Sequence, residues 1–118
     1  MITVRFYRKQ TQGSVHMVME GHAGAAPKGE DLVCAGASML AYTAGQAVQF
    51  LYEQGKLRCR PRIAIREGSA VIIATPKADF GGEVLYLFWV IQAGIYLLAR
   101  NYPGCVRLKH LEVVEEEG

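Results

Sequence analysis

The longest helical pattern in the chain is DLVCAGASMLAYTAGQAVQFLYEQG, residues 31–55. Its apolar stripe comprises Leu32, Leu40, Ala44, Ala47, Val48 and Leu51. Asp31 precedes the stripe and suits the N-cap position, because its carboxylate can accept the free backbone N–H groups of a first turn. Gly55 follows the stripe, where glycine commonly ends a helix. We therefore predict a helix from Leu32 to about Gln54.

Two-residue alternation of apolar and polar side chains flanks this helix on both sides. Residues 2–8 and 15–20 alternate in this way around a glycine turn at residues 12–14, so they predict an N-terminal hairpin. After the helix, residues 63–73 predict a second hairpin with a central glycine turn. Residues 106–113 alternate strictly and predict a last strand.

A second helix is predicted from Glu83 to about Asn101, before Pro103 and Gly104. Its apolar run, residues 84–99, is shorter than the roughly 20 residues that a membrane span needs. We therefore interpret it as a buried helix and expect no membrane partner. Because the helix is apolar nearly all round, a single copy of so short a chain covers it poorly, and we expect a homodimer.

The predicted order of elements is ββαββαβ, which indicates the α+β class. Two long helices packed on one face of a mostly antiparallel sheet are the simplest way to bury both helix stripes. The composition changes nowhere along the chain, so residues 1–118 are expected to form a single domain.

Charge and cysteine content narrow the functional class. The chain has 13 basic and 11 acidic residues, a balance that makes direct nucleic-acid binding unexpected. Its 3 cysteines form no CxxC pair, and no secretory leader is recognisable, which indicates free thiols in a reducing compartment such as the cytoplasm. No motif for a metal or an organic cofactor is present, and none is expected.

Cys34 and His22 are the candidate catalytic residues. Cys34 falls at the predicted start of the first helix, where unpaired N–H groups and the helix dipole stabilise a thiolate and a developing oxyanion. His22 ends the preceding strand. A strand end and the next helix start can lie side by side, so the imidazole can come within hydrogen-bond reach of the thiol.

Simpler interpretations remain open for each of these residues. A single cysteine in a helix is usually a small buried hydrophobic residue, and His22 between glycines can merely end a strand. Asp31 is explained by capping alone, although its second oxygen could face the imidazole. Ser38 lies one turn beyond Cys34 and either supports the site or bonds back to the backbone.

The stretch from Ala23 to Glu30 is the candidate substrate loop. It contains Gly24, Pro27 and Gly29 and no large apolar anchor. Such a loop can fold over a bound peptide and exclude water from the site.

The other candidates have weaker patterns. Cys59 lies between two arginines but has no histidine near it in sequence, so we interpret it as a residue that leads into a strand, and Cys105 as a packing residue. A basic stripe is formed by Arg58, Arg60, Arg62 and Arg66. It is interpreted as a solvated strand face. The alternative function is a ribosome- or RNA-associated dimeric binding module without catalysis, which would use this stripe.

The segments GHAG at residues 21–24 and GEDLVCAGAS at residues 29–38 closely resemble the signature of the ribosomal-processing cysteine protease family. The family pattern is GHA, a short glycine-bearing loop, then G-x-D-[IL]-V-C-A-[AG]-x-S. The order of elements and the chain length are also similar, so the resemblance covers nearly the whole chain.

This resemblance implies a function. Such proteases remove a short N-terminal extension from the twenty-seventh protein of the large ribosomal subunit, typically after a pair of phenylalanines. It implies that Cys34 is the nucleophile and His22 the general base, with Asp31, Ser38 and Gly21 as supporting motif residues. It also implies a homodimer. The chain departs from the family inside the loop, where Ala25-Ala26-Pro27-Lys28 replaces a segment that often holds Tyr and Glu, which bears on substrate preference.

Overall fold

The computed structural model describes residues 1–22 and 29–115, with the backbone alone for residues 29–31. In chain order the elements are β1 (Ile2–Lys9), β2 (Val15–Gly21), α1 (Gly29–Glu53), β3 (Arg62–Arg66), β4 (Ser69–Ala74), α2 (Gly81–Asn101) and β5 (Val106–Val114). A short 3-10 turn, Ala78–Phe80, leads directly into α2. The predicted order ββαββαβ is confirmed.

The five strands form one sheet in the order β3-β4-β2-β1-β5. The β1–β2, β2–β4 and β3–β4 pairs are antiparallel, whereas β1 and β5 run parallel. This confirms a mostly antiparallel sheet, with the first strand beside its centre and the last strand at its edge. Both helices pack on the same face, so the fold has two layers.

Strand alternation creates the core. Ile2, Val4 and Phe6 of β1 point under the helices, and Met17 and Met19 of β2 lie beside them, all buried. The residues between them point to the opposite face of the sheet. The helices therefore cover one face of the sheet. No element in the described part of the chain covers the other face, which we call the open face.

The buried stripe of α1 consists of Val33, Ala37, Ala41, Ala44, Val48 and Leu51. Their spacing follows the helical period of 3.6 residues. Leu32, predicted to be on this stripe, is 59% exposed. Three residues of this stripe are alanines, which are only weakly apolar and are therefore hard to recognise as buried positions in a sequence. For this reason the strongly apolar Leu32 was predicted to be the first residue of the stripe.

α2 is buried on one face only. Its inward side chains are Val84, Phe88, Ile91, Gln92 and Ile95. Gln92 is satisfied because its Oε1 accepts a hydrogen bond from the Leu111 N–H at 2.7 Å. A Cβ at Gly94 would lie 2.6 Å from a methyl carbon of Leu40, so glycine permits close approach of the two helices.

The prediction that α2 is a buried helix is therefore only half right. Its outer face carries exposed Tyr86, Trp89, Val90 and Leu97. Residues 78–101 form one helix that is long and apolar enough to cross a membrane by length and composition, with 28% of its most apolar window buried within the chain. The inward face packs on the sheet and on α1, so the outer face is the surface that remains to be covered.

β5 does not alternate strictly, which corrects the sequence prediction. Arg5 of β1 pairs with Lys109, but Tyr7 pairs with Glu112, so β5 contains one extra residue between these pairs. Such a bulge interrupts the side-chain alternation locally. As a result, Glu112 points to the same face of the sheet as Lys109.

Candidate active site

The end of β2 is fixed by Gly21. Its φ is +101°, and a Cβ there would collide with the backbone carbonyl oxygen of Met1. Its N–H donates a 2.9 Å hydrogen bond to the carbonyl oxygen of Gly68, in the β3–β4 turn. Glycine at position 21 is therefore required by its positive φ and by the close approach of Met1, which explains its place in the motif.

His22 follows Gly21 directly and is exposed at the end of the strand. Its ring lies against Gly68, where an added Cβ would stand 2.9 Å from Nε2 and 3.2 Å from Cε1. Gly68 has a φ of +77°, as the turn between β3 and β4 requires. The β3–β4 turn thus forms one wall beside the imidazole.

Cys34 comes from the first part of α1. The adjacent Val33 is fully buried, which anchors this turn of the helix to the core, and Cys34 itself is half-buried. Side chains in a helix lean toward its N-terminus. The thiol therefore leans toward the first turn of α1, where backbone N–H groups have no partner within the helix.

A pocket of about 310 Å³ brings the two residues together. His22 enters it from the end of β2, and Cys34 and Ser38 enter it from α1. The remaining lining residues are Ile2, Met19, Gly21, Ala37, Ala41, Ile65, Arg66, Glu67, Gly68, Ser69 and Ala70. An imidazole and a thiol thus border one cavity lined by both apolar and polar residues, an arrangement suited to nucleophilic attack on a bound peptide.

The predicted set of site residues is recovered in part. Gly21, His22, Cys34 and Ser38 all line this pocket. The predicted substrate-loop residues Ala23, Gly24 and Pro27 lie outside the described residues. Gly29, assigned to the same loop, is instead the first residue of α1.

The predicted N-cap role of Asp31 is wrong. α1 begins at Gly29, two residues earlier, so Asp31 lies within the first helical turn and Cys34 is one turn further into the helix than predicted. Acidic residues are favoured both at the N-cap and inside the first turn, because both places are close to the positive end of the dipole. Residue type alone therefore does not separate the two positions.

The sequence interpretation missed the wall formed by the β3–β4 hairpin. Ile65, Glu67 and Gly68 border the pocket although they are more than thirty residues after Cys34 in the chain. A hairpin at this place was predicted, but its contact with the end of β2 depends on the strand order β3-β4-β2. Local sequence patterns do not specify that order.

Neither of the other cysteines lines this pocket. Cys59 is exposed, and Cys105 is half-buried and packs against the core, in agreement with its predicted packing role. The predicted Arg58–Arg66 stripe is not one strand face, because β3 begins only at Arg62. Arg58 instead donates a 3.3 Å hydrogen bond to the Gln12 carbonyl oxygen.

Comparison with known proteins identifies a family for this chain. A family model described as cysteine protease Prp matches residues 1–107. This range includes His22, Cys34 and the whole β3–β4 hairpin. No curated protein sequence matches the chain.

Three solved structures share the fold. SMU.848 from Streptococcus mutans is 26% identical with a TM-score of 0.67, over 98% of this chain and 96% of that one. The essential ribosomal processing protease Prp from S. aureus, in complex with a covalently linked product peptide, is 25% identical with a TM-score of 0.67, over 95% of this chain and 100% of that one. The same S. aureus protease with a substrate peptide has a TM-score of 0.66 at 24% identity, over 95% and 100%.

Proposed function

Because this chain belongs to the cysteine protease Prp family, we propose that it is the endopeptidase that removes the N-terminal extension of the twenty-seventh protein of the large ribosomal subunit. The observation that carries the proposal is the shared pocket of His22 and Cys34, two residues delivered by different elements. In S. aureus, a member of the same fold is a ribosomal processing protease with a covalently linked product peptide.

Acylation uses both side chains. The imidazole of His22 takes the proton from the Cys34 thiol, and Sγ attacks the carbonyl carbon of the scissile peptide bond. The tetrahedral intermediate collapses when the C–N bond breaks and the protonated His22 gives its proton to the leaving amine. The C-terminal fragment departs, and the N-terminal fragment remains as a thioester on Cys34.

Deacylation reverses the roles. His22 takes a proton from water, and the resulting hydroxide attacks the thioester carbon. Breaking the C–S bond returns the thiolate, which regains its proton from His22. Because a thiol needs less activation than a hydroxyl group, a Cys–His pair suffices for this cycle without a third catalytic group.

The oxyanion of each intermediate needs hydrogen-bond donors beside Sγ. The first turn of α1 offers unpaired backbone N–H groups and the positive end of the helix dipole. The start of α1 at Gly29 places these amides one turn before Cys34, on the side toward which its thiol leans. We propose that they are the oxyanion donors.

The pocket suits apolar residues before the cleaved bond. Its lining includes Met19, Ala37, Ala41 and Ile65, which present little polarity to a bound side chain. An aromatic residue such as phenylalanine buries a large apolar area on such a surface. This supports a Phe-Phe sequence on the acyl side, as the resemblance implies.

The proposed working compartment is the cytoplasm, where ribosomal proteins are made and processed. Cys34, Cys59 and Cys105 are all free thiols, and the catalytic one must stay reduced to act. The half-buried Cys34 cannot serve as a nucleophile once it is oxidised.

We also propose that the active form is a homodimer paired through α2. The exposed face of this helix carries Tyr86, Trp89, Val90 and Leu97, and the Tyr86 and Trp89 rings stack at 5.8 Å. An apolar surface of this kind is usually covered in a soluble oligomer or a membrane. The inner face of α2 already packs within the chain, and the family resemblance implies a homodimer. We therefore propose that a second copy of the chain covers the outer face of α2.

The direct test is cleavage of a synthetic peptide containing Phe-Phe before a small residue. The expected products, identified by mass spectrometry, end after the second phenylalanine, and a thiol-alkylating reagent abolishes their formation. Cleavage of the host's own ribosomal protein precursor at this position would assign the substrate. Cleavage insensitive to the reagent, or none with either substrate, would refute the proposal.

A further inference from the structure

The open face of the sheet carries an uneven share of the charge. Six cations project from three of its strands: Arg5 and Lys9 of β1, Arg62 and Arg66 of β3, and Arg107 and Lys109 of β5. Their positions follow from the register, because each one alternates along its strand with residues that point under the helices and pairs with a residue of the open face. Among the residues of the described strands, Glu20 and Glu112 are the only acidic ones on this open face.

This distribution is not visible in the total charge. The whole chain has 13 basic and 11 acidic residues. Setting aside these six cations and two acids leaves seven basic and nine acidic residues in the rest of the sequence. The open face therefore carries an excess of positive charge, whereas the rest of the sequence carries a small excess of acidic residues.

The positive charges are also placed close together. Arg5 pairs directly with Lys109 across the parallel β1–β5 ladder, and like charges in directly opposed positions destabilise a sheet. Both residues line one shallow depression of about 210 Å³, together with Thr3, Val18 and Glu20. The Glu112 carboxylate offsets part of this repulsion, because it accepts a 3.5 Å hydrogen bond from the Arg5 guanidinium. An anion seated between Arg5 and Lys109 would offset the remainder.

An aromatic stack lies beside this depression. The Arg5 guanidinium sits 4.4 Å from the centroid of the Tyr7 ring, and that ring stacks on buried His16 at 4.4 Å. The stack holds the Arg5 guanidinium in place at the surface. A guanidinium fixed in this way loses little freedom when it binds phosphate oxygens through two parallel hydrogen bonds.

We propose that this open sheet face binds the phosphate backbone of RNA. A surface with several cations, few acids and no deep apolar pocket matches a polyanion better than a folded protein partner. RNA rather than DNA is the polyanion that surrounds a ribosomal protein, so this choice rests on the proposed function. The face lies on the side of the sheet opposite α1, which carries Cys34, so RNA and peptide can bind together.

The test measures binding of a fluorescein-labelled RNA hairpin by fluorescence anisotropy, with Cys34→Ala protein so that no peptidase activity is needed. Affinity should fall at least about 10-fold between about 50 and about 200 mM salt, as expected when several phosphates are neutralised. A DNA hairpin of the same sequence should bind no more tightly than the RNA.

Charge reversal then locates the surface. The Arg107→Glu/Lys109→Glu variant should bind RNA at least about 10-fold more weakly, since reversal replaces attraction with repulsion at two phosphate sites. The matched control, Arg58→Glu/Arg60→Glu, changes the net charge equally on exposed residues off this face and should stay within about 3-fold of the parent. Arg62→Glu, at the opposite edge of the sheet, gives an independent measurement if the β5 variant folds poorly.

Several results would overturn the proposal. These are equal losses in the test and control variants, absence of RNA binding at about 50 mM salt, and binding of polyglutamate or of the DNA hairpin more tightly than RNA. Because binding is measured on an inactive variant, loss of peptide cleavage and loss of RNA binding are separate outcomes, and each refutes only its own proposal.

Discussion

The imidazole of His22 packs against Gly68, and its Nε2 lies 2.9 Å from the point where a Cβ on residue 68 would stand. The Gly21 N–H also bonds to the Gly68 carbonyl oxygen at 2.9 Å. The β3–β4 turn therefore contacts the proposed catalytic base in two ways: it bonds to the backbone of the preceding Gly21 and packs against the His22 ring. This makes Gly68 a positioning residue for His22.

Gly68→Ala should impair catalysis by displacing His22. The added methyl group must push the ring away, and a misplacement of about 1 Å can cost about 100-fold in rate. We expect kcat/KM for peptide cleavage to fall about 10- to 100-fold.

The matched control for this prediction is Gly104→Ala. Gly104 has a similar φ of +88°, but no atom lies within 4 Å of its added Cβ. Both variants should lose about 1–2 kcal/mol of stability because alanine is strained at positive φ. Equal activities of the two variants would show that the contact with His22 is unimportant.

Cys34→Ala and Cys34→Ser should abolish cleavage with little change in melting temperature. Cys34 is half-buried at the pocket, and a serine hydroxyl is a far weaker nucleophile than a thiolate. Cys59→Ala is the matched control, since Cys59 is exposed and does not line the pocket. Cys105→Ala should keep activity but lose some stability, because Cys105 packs on the core. Loss of activity in Cys59→Ala with full activity in Cys34→Ser would reassign the nucleophile.

His22→Ala should lower the cleavage rate about 10²–10⁴-fold, the usual contribution of a positioned general base. Alkylation of Cys34 near neutral pH should also slow, because the thiol loses its proton acceptor. His110→Ala serves as the control, since His110 is exposed on β5 and its ring faces Tyr96 at 6.4 Å. Alkylation rates that stay identical in parent and His22→Ala across the pH range 5 to 9 would argue against a coupled pair.

Asp31→Asn separates an electrostatic role from a structural one. Asp31 lies inside the first turn of α1, so removing its charge should alter stability by only about 0.3–1 kcal/mol. If Asp31 orients His22, as we expect, kcat should fall clearly while the melting temperature barely moves. Glu30→Gln removes the neighbouring charge from the same turn and should leave kcat unchanged. Full activity of Asp31→Asn would indicate that the Asp31 carboxylate interacts only with the helix dipole and does not orient His22.

Trp89→Glu should dissociate the proposed homodimer. Trp89 is 55% exposed in one copy and lies at the centre of the apolar face of α2. A buried unpaired carboxylate at an interface is strongly unfavourable. Light scattering in detergent-free buffer should give a dimer mass for the parent and a monomer mass for Trp89→Glu, with Arg100→Glu near the end of α2 as the control. A parent that is monomeric at all concentrations would contradict the prediction.

Local patterns predicted the elements well because each one obeys a single period. The alternation of residues 2–8 and 15–20 reflects one buried and one open sheet face, and both strands are observed almost at the predicted limits. The GHA and DLVCAG segments contain the proposed catalytic residues, His22 and Cys34, and both of them line one pocket.

What the sequence could not predict depends on contacts between distant segments. The extra residue of β5 is defined only by its pairing with β1, so the strict alternation of the sequence was misleading. The Gly68 wall depends on strand order, and the positive sheet face depends on register. The balanced total charge does not reveal this face.

The parallel pairing of β1 with β5 joins the two ends of the chain, with Ile2 opposite Val106 and Lys9 opposite Val114. Pairing over such a sequence distance raises the contact order and slows folding. During synthesis, β1 must keep one edge open until residues 106–114 have been made, while β2, α1 and the β3–β4 hairpin can already assemble. The catalytic pocket can therefore form before the sheet is complete, and the exposed β1 edge is the point at which the nascent protein is most open to mispairing.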